Sequence, residues 1–166
     1  MRVAVAGTFG PLHDGHRALF ETALELGADG VVVGLTSDDL APETRSEPRP
    51  IPTATEREKA VRAALADLDE WGRDVELRRI EDEYDVVTTD PTLDALVVSP
   101  ETGDELRTIN GARREAGIDP LVGIVVPFVL AEDGERISST RIVKGEIDEH
   151  GNRLSDGGGA RPSSSG

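Results

Sequence analysis

No cysteine occurs in the 166 residues, which excludes disulfides, thiolate zinc sites and cysteine nucleophiles and leaves the cytoplasm as the expected location. Lysine is nearly as scarce: beyond Lys59 and Lys144, every basic side chain is an arginine. Only 18 Lys and Arg stand against 33 Asp and Glu, a net charge of −15. A general nucleic-acid binder needs a basic face, so nucleic acid is not an expected partner. Such a surface keeps a protein soluble, and the composition is halophile-like, since high ionic strength screens self-repulsion. No apolar run is long enough to span a bilayer, so no membrane partner is expected either. The apolar stretch at Arg2–Ala6 is short and leads straight into a turn; it reads as a core strand, not a signal peptide.

What is present suits one compact domain. Hydrophobic residues make up 37% of the chain, an ordinary globular share. Strands are predicted at 2–6, 31–35, 74–80, 93–98 and 121–126. Helices are predicted from about 15 to 26, from Thr53 or Thr55 to about 68, over 101–116, and from Ile137 to about Ile147. Thr55 and Glu58 have capping-box spacing, and a short helical turn is expected around Tyr84. Runs such as Val31-Val32-Val33 are apolar throughout, as in strands covered on both faces. The alternation implies an α/β fold, a doubly wound five-stranded parallel sheet, with ligands bound beyond the carboxyl ends of the strands. The polar, proline-rich stretch 37–52 reads as a long functional loop, and the Gly/Ser-rich tail 152–166 as disordered, leaving 1–151 as the domain.

Two segments carry chemistry. The first follows the first strand: Gly7-Thr8-Phe9-Gly10-Pro11-Leu12-His13-Asp14-Gly15-His16. Two of the three histidines lie within it, where a strand ends and a helix begins, so free helix N–H groups face the turn. An isolated His-x-x-His is more often a surface turn, and without a third ligand it is weak metal evidence; no metal site is expected from protein ligands alone. The second segment, Ile137-Ser138-Ser139-Thr140-Arg141-Ile142, would suit either a plain helix cap or an anion site of hydroxyls, N–H groups and Arg141.

Taken together, these segments resemble the signatures of the nucleotidyltransferase superfamily that also includes the class I aminoacyl-tRNA synthetases. The resemblance implies a Rossmann-like nucleotidyltransferase fold. It implies that His13 and His16 contact ATP phosphates and stabilise the charge of transfer. Thr8 would help hold the acceptor phosphate. Ser138, Ser139, Thr140 and Arg141 would hold the β- and γ-phosphates. Gly7, Phe9, Gly15, Pro100 and Glu101 complete the implied ATP site. One departure stands out, for the family usually carries Asp where this chain has Gly10.

The middle of the chain bears on the acceptor. Val97-Val98-Ser99-Pro100-Glu101-Thr102, Asn110 with Arg113-Arg114, Val129-Leu130-Ala131-Glu132-Asp133-Gly134 and Gly34-Leu35-Thr36-Ser37-Asp38 resemble the archaeal phosphopantetheine adenylyltransferases. The implied reaction moves AMP from ATP, with Mg²⁺, to 4'-phosphopantetheine, giving dephospho-CoA and pyrophosphate. Arg45 and Asn110 are then acceptor-side candidates, although Arg45 serves equally well as loop solvation and Asn110 as an exposed helix residue. Rival readings are the same chemistry on NMN, FMN or a polyol phosphate, and a nucleotide-binding regulator that has lost catalysis. The oligomeric state is not legible.

Overall fold

The computed structural model describes residues 1–38, 51–82, 85–100 and 103–154. Its elements run β1 (Val3–Gly7), α1 (Asp14–Leu26), β2 (Val31–Thr36), α2 (Ala54–Leu68), β3 (Val75–Ile80), α3 (Asp85–Thr89), β4 (Ala95–Val98), α4 (Glu105–Glu115), β5 (Val122–Val125) and α5 (Ser139–Val143). The strands form one sheet, all pairs parallel, in the order β3-β2-β1-β4-β5. This is the expected doubly wound arrangement. Its switch point lies between β1 and β4, where the chain has crossed from one half of the sheet to the other.

The period of two explains how the strands bury both faces. Val3, Val5, Val31, Val33, Ala95 and Val97 point to the side packed by Phe20, Ala23 and Leu24 of α1 and Val61 and Leu65 of α2. Ala4, Val32, Leu96 and Val98 point to the other side, against Val87 of α3 and Ile109 of α4. A third, small cluster (Ala131, Ile137, Ile147) holds the C-terminal segment together.

Several expected boundaries shift for identifiable reasons. The cap of α2 is Thr53, not Thr55: the Thr53 hydroxyl accepts from the Glu56 amide while the Glu56 carboxylate accepts from the Thr53 amide. Leu26, the last residue of α1, is 37% exposed, and Phe20, Ala23 and Leu24 form its buried face. The last helix is one turn long. Gly145 adopts φ 79°, a left-handed conformation that ends α5 before the apolar pattern runs out. Arg153 then forms a β-bridge with Ile147 and the Leu154 amide donates to the Glu146 carbonyl, so the fold continues through residue 154. Tyr84 and the tail from 155 onward lie outside the described residues. Among those described, no helix is long and apolar enough to cross a membrane.

Two polar anchors escaped the sequence pattern. Arg113 is completely buried; its guanidinium donates to the carbonyls of Val87, Asp90, Leu93 and Asp119, tying α4 to the α3–β4 connection. Asp90 accepts from the Thr92 amide and hydroxyl on one oxygen and from Arg2 and Arg78 on the other. Burial pushes the Asp90 carboxyl upward, but these hydrogen bonds and the Arg2 charge outweigh it and hold the group at about 2. A carboxylate depressed on folding contributes stability that is complete above its unfolded value near 4 and is lost as pH falls from there to about 2. In urea titrations at stepped pH, the advantage of the native chain over Asp90→Asn should shrink by about 2 kcal/mol between neutral pH and pH 2. A pH-independent gap would show that the ionised carboxylate contributes nothing specific.

Candidate active site

A cleft of about 540 Å³ opens at the carboxyl ends of the strands, a volume typical of small-molecule sites. Gly7, Thr8 and Phe9 after β1 form one wall and Val98 and Ser99 at the end of β4 another, so the cleft lies at the switch point. His13, His16 and Leu19 of the α1 entry line it, as do Ser138, Ser139 and Thr140 of α5. The two sequence segments, starting 130 residues apart at Gly7 and Ile137, thus share one cavity.

The turn after β1 is built by its own side chains. Phe9 adopts φ 53°, costly for a residue with a Cβ, and its buried ring is stacked edge-on against Phe20 and His16, at 5.0 and 5.3 Å. His13 is the N-cap of α1: its Nδ1 accepts from the Gly15 amide at 3.0 Å and the His16 amide at 3.4 Å. A Cβ on residue 15 would stand 2.8 Å from the His13 ring, so glycine is needed for the ring to fold back over the helix start. With Nδ1 committed as acceptor, neutral His13 carries its proton on Nε2 and can donate from there. His16 lies stacked on His13, ring centroids 3.8 Å apart.

Gly10 has an equally local cause. A Cβ there would lie 2.7 Å from Cδ and 2.9 Å from Cγ of Arg57, whose stem fills the space a side chain would take. Arg57 is a site-supporting residue that sequence reasoning missed. Its guanidinium is buried and donates to the Thr8 carbonyl at 2.9 Å, the Pro52 carbonyl at 2.9 Å and the Thr36 hydroxyl at 3.2 Å. Burial pulls it below the usual guanidinium value, while Asp38, 3.4 Å away, acts in the opposite direction.

Other expected residues are placed differently. Arg141 does not line the cleft. Its guanidinium pairs with Asp133 and Glu146 and donates to the Arg136 carbonyl, and these carboxylates raise its already high value. Among the described residues Arg136, stacked over Phe128 at 5.0 Å, is the arginine that borders the cleft. Asn110 is also outside it; its amide clamps the backbone of Leu121, donating to the carbonyl at 3.1 Å and accepting from the N–H at 2.7 Å, and so joins α4 to β5. Pro100 is exposed beside the lining residue Ser99. Ser138 caps α5 by accepting from the Arg141 amide, and Ser139 donates to the Pro11 carbonyl at 2.6 Å, which uses the hydrogen it would give a phosphate. Arg45 and Glu101 fall outside the described residues. Among the described residues no group of three or more His, Asp or Glu could hold a metal ion.

The dual use of His13 yields a test. His13→Ala should cost about 1 kcal/mol of stability through the lost cap, and it should also weaken nucleotide binding. His13→Asn keeps an acceptor near Nδ1 but has nothing at Nε2. Unfolding midpoints should therefore recover in His13→Asn while nucleotide affinity stays low; recovery of both would show that His13 acts only as a cap.

The cytidylyltransferase-like family matches residues 4–145. Phosphopantetheine adenylyltransferase of Methanopyrus kandleri is 43% identical over 148 residues, covering 89% of this chain and 91% of its own. That of Methanosarcina acetivorans is 41% identical, covering 90% and 94%. A solved structure from Archaeoglobus fulgidus, described as a protein of unknown function, superposes with a TM-score of 0.66 at 31% identity over 76% of this chain and 89% of that one. The chain therefore belongs to the cytidylyltransferase-like family, grouped with the archaeal phosphopantetheine adenylyltransferases.

Proposed function

We propose that this protein transfers AMP from ATP to 4'-phosphopantetheine, forming dephospho-CoA and pyrophosphate for coenzyme A synthesis in the cytoplasm. The observation that carries the reading is the single cleft lined by both the histidine turn and the serine segment, in a chain about 40% identical to relatives bearing that name.

The acceptor phosphate is already a nucleophile. One of its oxygens attacks the α-phosphorus of ATP, a new P–O bond forms, and the bond to the β-phosphate breaks as pyrophosphate leaves. No covalent enzyme intermediate is needed. The protein's work is to position two polyanions and stabilise the charge that builds between them. His13 donates from Nε2, His16 stands beside it, and Thr8 faces the acceptor phosphate. Ser138, Thr140 and the rim residue Arg136 attend the departing pyrophosphate. Mg²⁺ carried by the nucleotide would neutralise part of its phosphate charge.

Pyrophosphate release from ATP and Mg²⁺ should appear with 4'-phosphopantetheine and not with NMN, FMN or glycerol 3-phosphate. Release with another acceptor would keep the chemistry and replace the substrate. ATP binding with no release from any of the four would favour a regulator. His16→Ala should lower turnover by about 10²-fold with unfolding unchanged, the usual scale for removing one donor to developing charge.

A further inference from the structure

The cation under the cleft has a role the reaction above leaves unassigned. Arg57 is 1% exposed, and its Nη1 donates both to the Thr8 carbonyl and to the Thr36 hydroxyl oxygen. Thr36, also 1% exposed, passes its own hydrogen to the Thr8 hydroxyl oxygen at 3.0 Å. The chain of bonds has a direction. An arginine can only donate, so Thr36 accepts from it; with Thr36 donating onward, Thr8 receives a hydrogen on its oxygen and must turn its own hydrogen away from Thr36. Both threonines line the cleft.

We infer that Arg57 is a positioning residue for the acceptor: through Thr36 it orients the Thr8 hydroxyl as a donor to the acceptor phosphate, and through the Thr8 carbonyl it fixes where that donor stands. The inference rests on the functional reading above. Arg57 touches no substrate. Its Nε bond to the Pro52 carbonyl and the close packing of its stem on Gly10 keep the guanidinium in one place, so the donor that feeds the relay is in position before substrate arrives. A hydroxyl without this relay would have to reorient from other partners before donating to the phosphate, and that reorganisation costs binding.

Thr36→Val removes the relay with little change of shape, and Thr36→Ser restores it. With the full chain at saturating ATP, Thr36→Val should lower kcat/KM for 4'-phosphopantetheine roughly tenfold, mainly through KM, the scale of one hydrogen bond to a charged group. ATP affinity measured without acceptor should stay within about twofold, and Thr36→Ser should return most of the loss. Arg57→Lys keeps the charge but not the fork. If it folds, it should impair the acceptor similarly, and Arg57→Lys with Thr36→Val should be little worse than either alone, since both cut one path. Unchanged acceptor kinetics in Thr36→Val would overturn the inference. So would a parallel loss of ATP affinity, which would mark a general collapse of the turn. A native chain that turns over no 4'-phosphopantetheine would overturn the functional reading and this inference with it, and it is recognised before any variant is made.

Discussion

A guanidinium with almost no exposed surface has given up its hydration, a loss of several kcal/mol unless every N–H is directed at an acceptor. Arg57 finds its acceptors where three parts of the chain converge: the turn after β1 through the Thr8 carbonyl, the end of β2 through Thr36 and, just beyond it, Asp38, and the entry to α2 through the Pro52 carbonyl. Moving any one of the three would leave a buried cation short of a partner. The turn that carries Thr8 and leads into His13 is thereby pinned to the sheet and to the next helix. Gly10 belongs to the same constraint. A Cβ at that position would meet the Arg57 stem, so the absent side chain and the buried arginine go together.

Charge sets the second condition. A chain with a net charge of −15 must admit a nucleotide and a second phosphate ester. Most of its placed arginines are committed elsewhere. Arg2 and Arg78 answer Asp90, Arg141 answers Asp133 and Glu146, Arg73 binds the carbonyls of Leu24 and Glu25 at the end of α1, and Arg113 serves four backbone carbonyls. Among the described residues the cleft instead presents two imidazoles, threonine and serine hydroxyls, one rim arginine and a single carboxylate, Glu105. Donors of this kind stabilise developing charge without a strong permanent field.

The sequence made legible what depends on local pattern. Strands apolar on every residue had to lie inside a two-faced sheet, and a glycine turn joining such a strand to a helix had to lie at its carboxyl end. Partnerships between distant residues were not legible. Arg57 and Arg113 look like ordinary solvated charges in helices, because their burial depends on carbonyls that only the tertiary fold brings together. Arg141 looked like a phosphate ligand because it follows the serine pair, yet Asp133, eight residues earlier, turns back to claim it. Asn110 lies on the expected helix, but its amide is spent on Leu121. The one signal that could have exposed Arg57 was Gly10 itself, since a missing side chain in a tight turn often marks the close approach of another residue.

The histidine turn is also held from the far end of the chain. Ser139 donates to the Pro11 carbonyl, the Asp14 amide donates to the Glu149 carbonyl, and His150 meets the Asp14 carboxylate at 3.0 Å. Each bond spans more than 120 residues, and all three land within four residues of the same turn. The segment implied to bind the leaving phosphates is therefore also a clamp on the segment that carries the histidines. Hydroxyls committed in this way contribute less as direct ligands and more as supports, and Ser139 is the clearest case. Held by Arg57 beside α2 and by the C-terminal segment at the start of α1, the turn has little freedom to rearrange around a substrate. A reaction that relies on placing two phosphates and a few donors, with no covalent step, needs that rigidity more than it needs any single ligand.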